Sequence, residues 1–462
     1  MIDPSLIVSC SANATCSVVH AVVMSLLFFL VLMGGFAYTT WLERRLVARF
    51  QHRLGPDRVG PAGLLQPIAD GIKLIFKEDV TPLDADKVMY WLAPMIKAVP
   101  ALIVLAVVPL GSTMLVPWFD GRWYEVRLGL TDVNVGVLWL MAITSLGTYG
   151  VVLAGWASGS KYSMYGGLRS SAQMISYELS MGISMLVPIM IASSLSLVKV
   201  IEAQADPALM LGWFFWQNPL AAVILMTALL AEVNRSPFDM PEAESELVGG
   251  YHTEYSGMKF ALFFAAEYIG MIAMSTVFAA LFLGGYHWPL PATWSPLLGP
   301  VNMILKIVLL LSSMVWVRAT LPRIRYDRLM AFGWKIMFPL ALLSVAWQAI
   351  VLTLAEDSTA MTVYTGLAGT AFALVVLAAL MSLWRSRRST PAYDLTDSRS
   401  SLGWAIVYAL GAVVAAPFAL YDWLKKQRGS FEGFWEATRR EREAARAARA
   451  AEQQAGSSGD SR

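Results

Sequence analysis

SVVHAVVMSLLFFLVLMGGFAYTTWL, residues 17 to 42, contains no Asp, Glu, Lys or Arg. At 1.5 Å per residue, a helix of that length exceeds the roughly 30 Å hydrocarbon core of a bilayer. The stretch therefore reads as a transmembrane helix, and it decides the fold because similar runs recur at 88–116, 133–156, 171–197, 213–233, 258–286, 299–317, 334–354 and 361–384. Composition agrees, with 57% hydrophobic and 15% charged residues against roughly 45–50% and 25% in soluble domains. The expected fold is all-α, a polytopic membrane helix bundle of about nine transmembrane helices with an added interfacial helix. The first run follows an N-terminus without Lys or Arg and has no clear small-residue cleavage site, so it reads as an uncleaved helix.

The basic residues set the orientation. Arg44, Arg45, Arg49, Arg53, Arg58, Lys73, Lys77 and Lys87 share one side with Lys161, Arg169, Arg235, Lys259 and the group from Arg318 to Lys335. Only Arg122, Arg127 and Lys199 fall on the other side through the eighth span. The positive-inside rule then puts the N-terminus, with Cys10 and Cys16, outside the cytoplasm. A disulfide between those cysteines and a pair of reduced thiols both remain open. The chain has no CxxC and no His/Cys spacing suited to a metal or an iron–sulfur cluster, and no glycine fingerprint for a dinucleotide. A net charge of +2 in short basic loops gives no nucleic-acid footprint.

The C-terminal part divides differently from residues 1–355. Residues 356–424 hold an extra membrane helix or helices; the stretch 402–421 either spans as a tenth helix or lies in the interface. Residues 425–462 read as a charged helical tail with a disordered Ser/Gly-rich end.

Between the first two spans, Leu64, Leu65, Ile68, Ile72, Ile75 and Phe76 share one helical face, and Gln66, Asp70, Lys73 and Lys77 lie opposite. This pattern belongs to an amphipathic helix lying in the membrane interface. Acids and lysines inside the spans carry the other signal. At 1.5 Å per residue, Glu178 and Glu267 reach about 12 to 14 Å into the core from the cytoplasmic side, and Glu232 sits near the same face. Such groups border a cavity, a partner or a water path, although each taken singly is as well read as an inter-helix ion pair. Lys306 and Lys97 are also within spans, and Lys97 reads as a simple tether. The loop after Glu232 concentrates Asp239, Glu242, Glu244, Glu246 and Glu254. A run of that kind is usually solvated; joined directly to Glu232 and Glu267, it also has the form of a funnel that delivers protons to them.

Glu43-Arg44-Arg45, QHRLGPDRVGPAGLLQPIADGIKLIFKED (51–79), GWASGSKYSMYGGLRSSAQMISYE (155–178) and AEVNRSPFDMPEAESELVGGYHTEY (231–255) are long, ordered motifs. EYIGM from Glu267, LFLGG (281–285) and RATLPRIRYDRLM (318–330) extend them to about residue 355. The chain resembles one membrane-subunit family of proton-pumping NADH:quinone oxidoreductase, respiratory complex I: the family of mitochondrial subunit 1 and its bacterial counterpart, the H-type subunit. The resemblance implies a membrane subunit with no redox centre or covalently bound cofactor of its own. It implies a quinone, ubiquinone or menaquinone, as substrate, and partners among the peripheral quinone-site subunits, the membrane-arm subunits and lipid, in a bacterial inner membrane. It assigns proton coupling to Glu178, Glu232, Glu244, Glu246 and Glu267. It assigns a quinone portal to Arg45, Arg49, Arg53, Gln66, Ala69, Asp70 and Lys73, and a charged cavity lining to Asp239, Glu242, Glu254, Arg318 and Arg325. Asp57 departs from the Asn common in the family, and the segment beyond 361 has no family motif. Two rival readings are the related membrane subunit of an ion-translocating hydrogenase and an ion-coupled transporter. The intact GLLQPIADGIKL segment (63–74) speaks against the first, and the lack of internal symmetry against the second.

Overall fold

The computed structural model describes residues 7–10, 13–117, 121–205, 212–240, 248–289 and 297–354. The elements run β1 (Ile7–Ser9), α1 (Ala14–Phe50), α2 (Gln66–Ile75), α3 (Lys87–Ile103), β2 (Thr113–Pro117), β3 (Trp123–Arg127), α4 (Gly136–Ala157) and α5 (Lys161–Ala192). They continue with α6 (Leu197–Glu202), α7 (Phe214–Gln217), α8 (Pro219–Glu232), α9 (Gly257–Phe282), α10 (Leu298–Thr320), α11 (Tyr326–Phe332) and α12 (Phe338–Leu354). Among the described residues, seven helical segments are long and apolar enough to cross a membrane, and α8 is a shorter apolar helix. This is the helical membrane bundle expected from the sequence. The span at 361–384, the open one at 402–421 and both C-terminal regions lie outside the described residues.

Helix α9 is the hub. It packs against α1, α3, α8 and α10, and 67% of its most apolar window is buried, against 22% for α1. An apolar helix left this bare faces lipid. Helices α4 and α5 approach through glycine: a Cβ at Gly155 would stand 3.1 Å from Cα of Gly167, a closeness that small residues permit.

Three expected spans differ in detail. The run 88–116 leaves the α-helix at Ile103, passes through a 3₁₀ turn and becomes strand β2. Pro109 supplies a physical reason, because it disfavours helical backbone at Val108, which is extended. Strand β2 pairs antiparallel with β3, and β1 pairs parallel with β3. The all-α bundle therefore carries a small sheet beside α1. There Cys10 and Cys16 form a disulfide, with Cα atoms 5.4 Å apart, against buried Tyr124. The run 213–233 is broken at Asn218-Pro219. Asn218 is non-helical and caps α8 by accepting from Ala221 N, and Pro219 needs no donor at that position. The resulting helix of 14 residues is about 21 Å long. The run 334–354 begins with a π-turn, Gly333–Met337.

Helix α2 forms where its amphipathic pattern predicts, yet none of its residues is buried. Ile68, Ile72 and Ile75 point outward, exposed by 57%, 51% and 60%, whereas Gln66 and Asp70 are half-buried towards α1. Apolar side out and polar side in is the pattern of a helix meeting lipid. Its preceding turn requires glycine: Gly63 has φ +74°, and a Cβ there would meet the Pro56 carbonyl oxygen at 2.3 Å.

Candidate functional site

The turn after α8 positions the site. Asn234 takes left-handed backbone, φ 53°, which its short polar side chain tolerates. Buried Gln173 on α5 donates to Ala231 O at 2.8 Å and to Phe238 O at 2.7 Å. These bonds draw the segment inward, so that Ala231–Met240 is buried except for Ser236. The described start of the acidic loop is thus interior and not a solvated charge run.

Arg235 is carried inward by this turn and is 5% exposed. Its guanidinium pairs with Glu43 of α1 at 3.2 Å and with Glu267 of α9 at 3.0 Å. It also lies 4.5 Å from the centre of the Tyr268 ring. Glu43, itself 6% exposed, also accepts from Arg318. A carboxylate held by two guanidiniums and a guanidinium held by two carboxylates leave each desolvated charge compensated, as burial demands.

A cavity lies on either side of this chain of charges. The outer one, about 540 Å³, is lined by Glu43, Arg44, Val47, Ala48, Arg53, Leu54, Tyr268, Arg318 and Ala319, among others. Its volume falls within the roughly 300–1,000 Å³ of ligand sites. Helix α2 is tied beside it: Arg44 pairs with Asp70 at 2.5 Å, and Gln66 and Lys73 approach the same carboxylate at 3.3 and 3.7 Å. The inner cavity, about 60 Å³, is lined by Lys97, Thr144, Glu232, Asn234, Tyr251, His252 and Glu267, with apolar walls including Val104, Ala266 and Met274. At about 10–15 Å³ per water, it has room for a few. Oε2 of Glu232 is buried without a hydrogen-bond partner among the described residues, and such a group normally finds water. Glu178 accepts from Ser145 and lies within electrostatic reach of Glu232.

Of the residues the sequence singled out, Glu232 and Glu267 therefore meet in one cavity with Lys97, and Glu178 adjoins them. Arg53 and Arg318 line the outer cavity. Arg45 turns to Ala62 O at 2.6 Å, Arg49 is exposed, and Ala69 is half-buried on α2. Asp239 pairs with Arg323 at 2.9 Å; the backbone oxygen of Glu254 accepts from Tyr90 at 2.6 Å. Arg325 lines neither of these cavities: it pairs with Asp327 on the surface, with side chains 77% and 71% exposed, because α11 begins there and turns both outward. Glu242, Glu244 and Glu246 lie outside the described residues. Sequence reasoning gave no site role to Glu43, Arg235 or Tyr268. A signal existed in Glu43, the one acid in the 37 residues of α1.

The family model for NADH dehydrogenase matches residues 23–349. The chain belongs to this family. Similar relatives are H-type subunits of NADH-quinone oxidoreductase. One from Geobacter metallireducens is 47% identical over 335 residues, 71% of this chain and 94% of the relative. That of Protochlamydia amoebophila is 48% identical over 311 residues, 67% and 90% of the two chains. That of Thermomicrobium roseum is 46% identical over 326 residues, 70% and 92%. As a member of this family, the chain is a multi-pass membrane subunit of a complex I oxidoreductase and has the complex's other subunits as partners. Its matched region contains every described cavity residue named above.

Because the buried guanidinium of Arg235 pairs with buried Glu43 and half-buried Glu267, Arg235→Met is expected to cost about 3–5 kcal/mol. Thermal melting of the assembled complex should fall, and adding Glu43→Gln and Glu267→Gln should restore part of the loss. An unchanged melting temperature for the single variant would show the network to be energetically idle.

Proposed function

We propose that this subunit admits quinone through the outer cavity beside α1 and α2 and couples its reduction to protons held in the inner cavity. The observation that carries the reading is Arg235, whose partners Glu43 and Glu267 line the outer and the inner cavity respectively. The outward apolar face of α2 offers an isoprenoid tail a route from lipid, and Arg44, Arg53 and Arg318 suit a polar headgroup. No prosthetic group on this chain is required. Reduction of quinone takes up two protons and changes charge in a poorly solvated space. The arginine network transmits that change to Glu267, and Glu232, Lys97 and Glu178 redistribute protons in response.

Glu232→Gln or Glu267→Gln, in complexes whose assembly is checked, should lose both quinone-dependent NADH oxidation and proton pumping. Full retention of both would reduce these acids to structural partners. Ala319→Trp, which narrows the outer cavity, should slow reduction of long-tailed quinones more than of short-tailed ones; equal slowing would count against the portal.

The same reading sets the chain in a bacterial inner membrane with its N-terminus outside. Two observations support that orientation: disulfides persist in oxidising compartments, and the arginine-rich segments lie cytoplasmic by the positive-inside rule. A membrane-impermeant reductant applied to intact spheroplasts should open Cys10–Cys16 to maleimide labelling. Labelling confined to inverted vesicles would reverse the topology.

A further inference from the structure

His252 lines two separate cavities. One is the inner cavity that it shares with Glu232, Glu267 and Lys97. The other, about 280 Å³, is bordered by Lys77, Val248, Gly249, Tyr255 and Ser256. This second space opens to the surface past exposed Lys77 and past Val248, which is 64% exposed, on the side of the arginine-rich segments. Nδ1 of the imidazole lies beside Gly249, which borders the outer space: a Cβ built there would be 3.6 Å from it. The ring meets Tyr251 and Phe260 of α9 edge-on, at centroid distances of 5.0 and 5.5 Å. It stands as a partition, with its two nitrogens the chemically active part.

We propose that His252 is the proton inlet of this subunit, passing protons from the cytoplasmic-side space to the buried acid–lysine cavity. The inference rests on the proton-coupling role proposed above and names its point of supply. A proton from water in the outer space binds Nδ1, and the proton on Nε2 leaves to water in the inner cavity and on to Glu232 or Glu267. A half-turn of the ring about its Cβ–Cγ bond then exchanges the two nitrogens, so that the protonated one again faces the inner cavity. The charged and titratable groups around it suit a relay. Asp239 from the preceding turn favours the imidazolium, Lys77 just past α2 borders the same outer space, and Glu254, Tyr251 and Tyr255 flank the ring on its own segment. Burial holds the imidazole below its ordinary range. The ring is therefore mostly neutral near pH 7 and able both to accept and to give.

The test is His252→Gln in the assembled complex, compared with wild type and Glu232→Gln for quinone-dependent NADH oxidation and proton pumping between pH 6 and 8. Gln keeps the bulk and hydrogen bonding of the ring but cannot relay a proton. Without the relay, proton entry becomes limiting and follows hydronium activity. The variant should then lie within about twofold of wild type at pH 6 and fall about tenfold or more below it at pH 8. A His252→Gln complex with wild-type rate and pH profile overturns the inlet, while loss of pumping in Glu232→Gln leaves the coupling role standing. Wild-type behaviour of Glu232→Gln overturns the coupling role and the inlet together. If His252→Gln does not assemble, Gly249→Leu, which fills the outer space beside Nδ1, takes its place with the same expected pH-dependent loss and the same contrary result.

Discussion

A guanidinium buried among helices has to bring its compensating charges with it, and in this bundle that requirement joins three otherwise separate parts of the chain. Arg235 reaches the interior only because Gln173 of α5 binds the carbonyls of the turn after α8. Once inside, it draws Glu43 of α1 and Glu267 of α9 to one point. The lipid-facing helix and the most buried helix are thereby locked together at the level where both cavities end. Removing the guanidinium breaks the ion pair of Glu267, and removing either carboxylate leaves Arg235 with one partner in place of two, so the charges in the network depend on one another.

Three lysines elsewhere in the bundle are satisfied differently. Lys259, 2% exposed, pairs with Asp79 at 3.0 Å and sits against the rings of Tyr90 and Trp91. It clasps the segment after α2 to α9. Lys306 donates to the carbonyls of Leu283, Gly285 and His287 at 2.5, 2.7 and 2.5 Å, which closes the C-terminal end of α9, where carbonyls lack helical donors. Lys97 borders a cavity with two acids and reaches a soft partner, Sδ of Met174, at 3.8 Å. Direct polar partners hold the first two in place, whereas Lys97 lies along the cavity that Glu232 and Glu267 also line.

The sequence revealed the bundle because an apolar run longer than a bilayer core has few other uses, and it revealed Glu232 and Glu267 because a carboxylate within such a run stands out. It did not reveal that Lys97 joins them: Asp86, which accepts from Val88 N and Met89 N, marks the start of α3, but the meeting depends on how α3 packs against α9. Arg235 looked like a topological marker three residues past a helix end; only the tertiary bonds from Gln173 turn it inward. Arg318 and Arg325 looked equivalent, yet one faces Glu43 and the other water. Strand β2 was concealed because TMLVP is as apolar as the helix before it, with Pro109 and Gly111-Ser112 the local signs of a break. These misreadings share one cause: periodicity and hydropathy report which solvent a segment meets, whereas site geometry is set by contacts between segments distant in sequence.

The central claim is that Arg235 transmits a change of charge in the outer cavity to the acids of the inner one. Infrared difference spectra induced by quinone reduction, recorded in the carboxyl region on assembled complexes, test it most directly. The account predicts a carboxyl signal that Glu232→Gln or Glu267→Gln removes and that Arg235→Met also abolishes while quinone still binds. An identical carboxyl signal in wild type and Arg235→Met would contradict it.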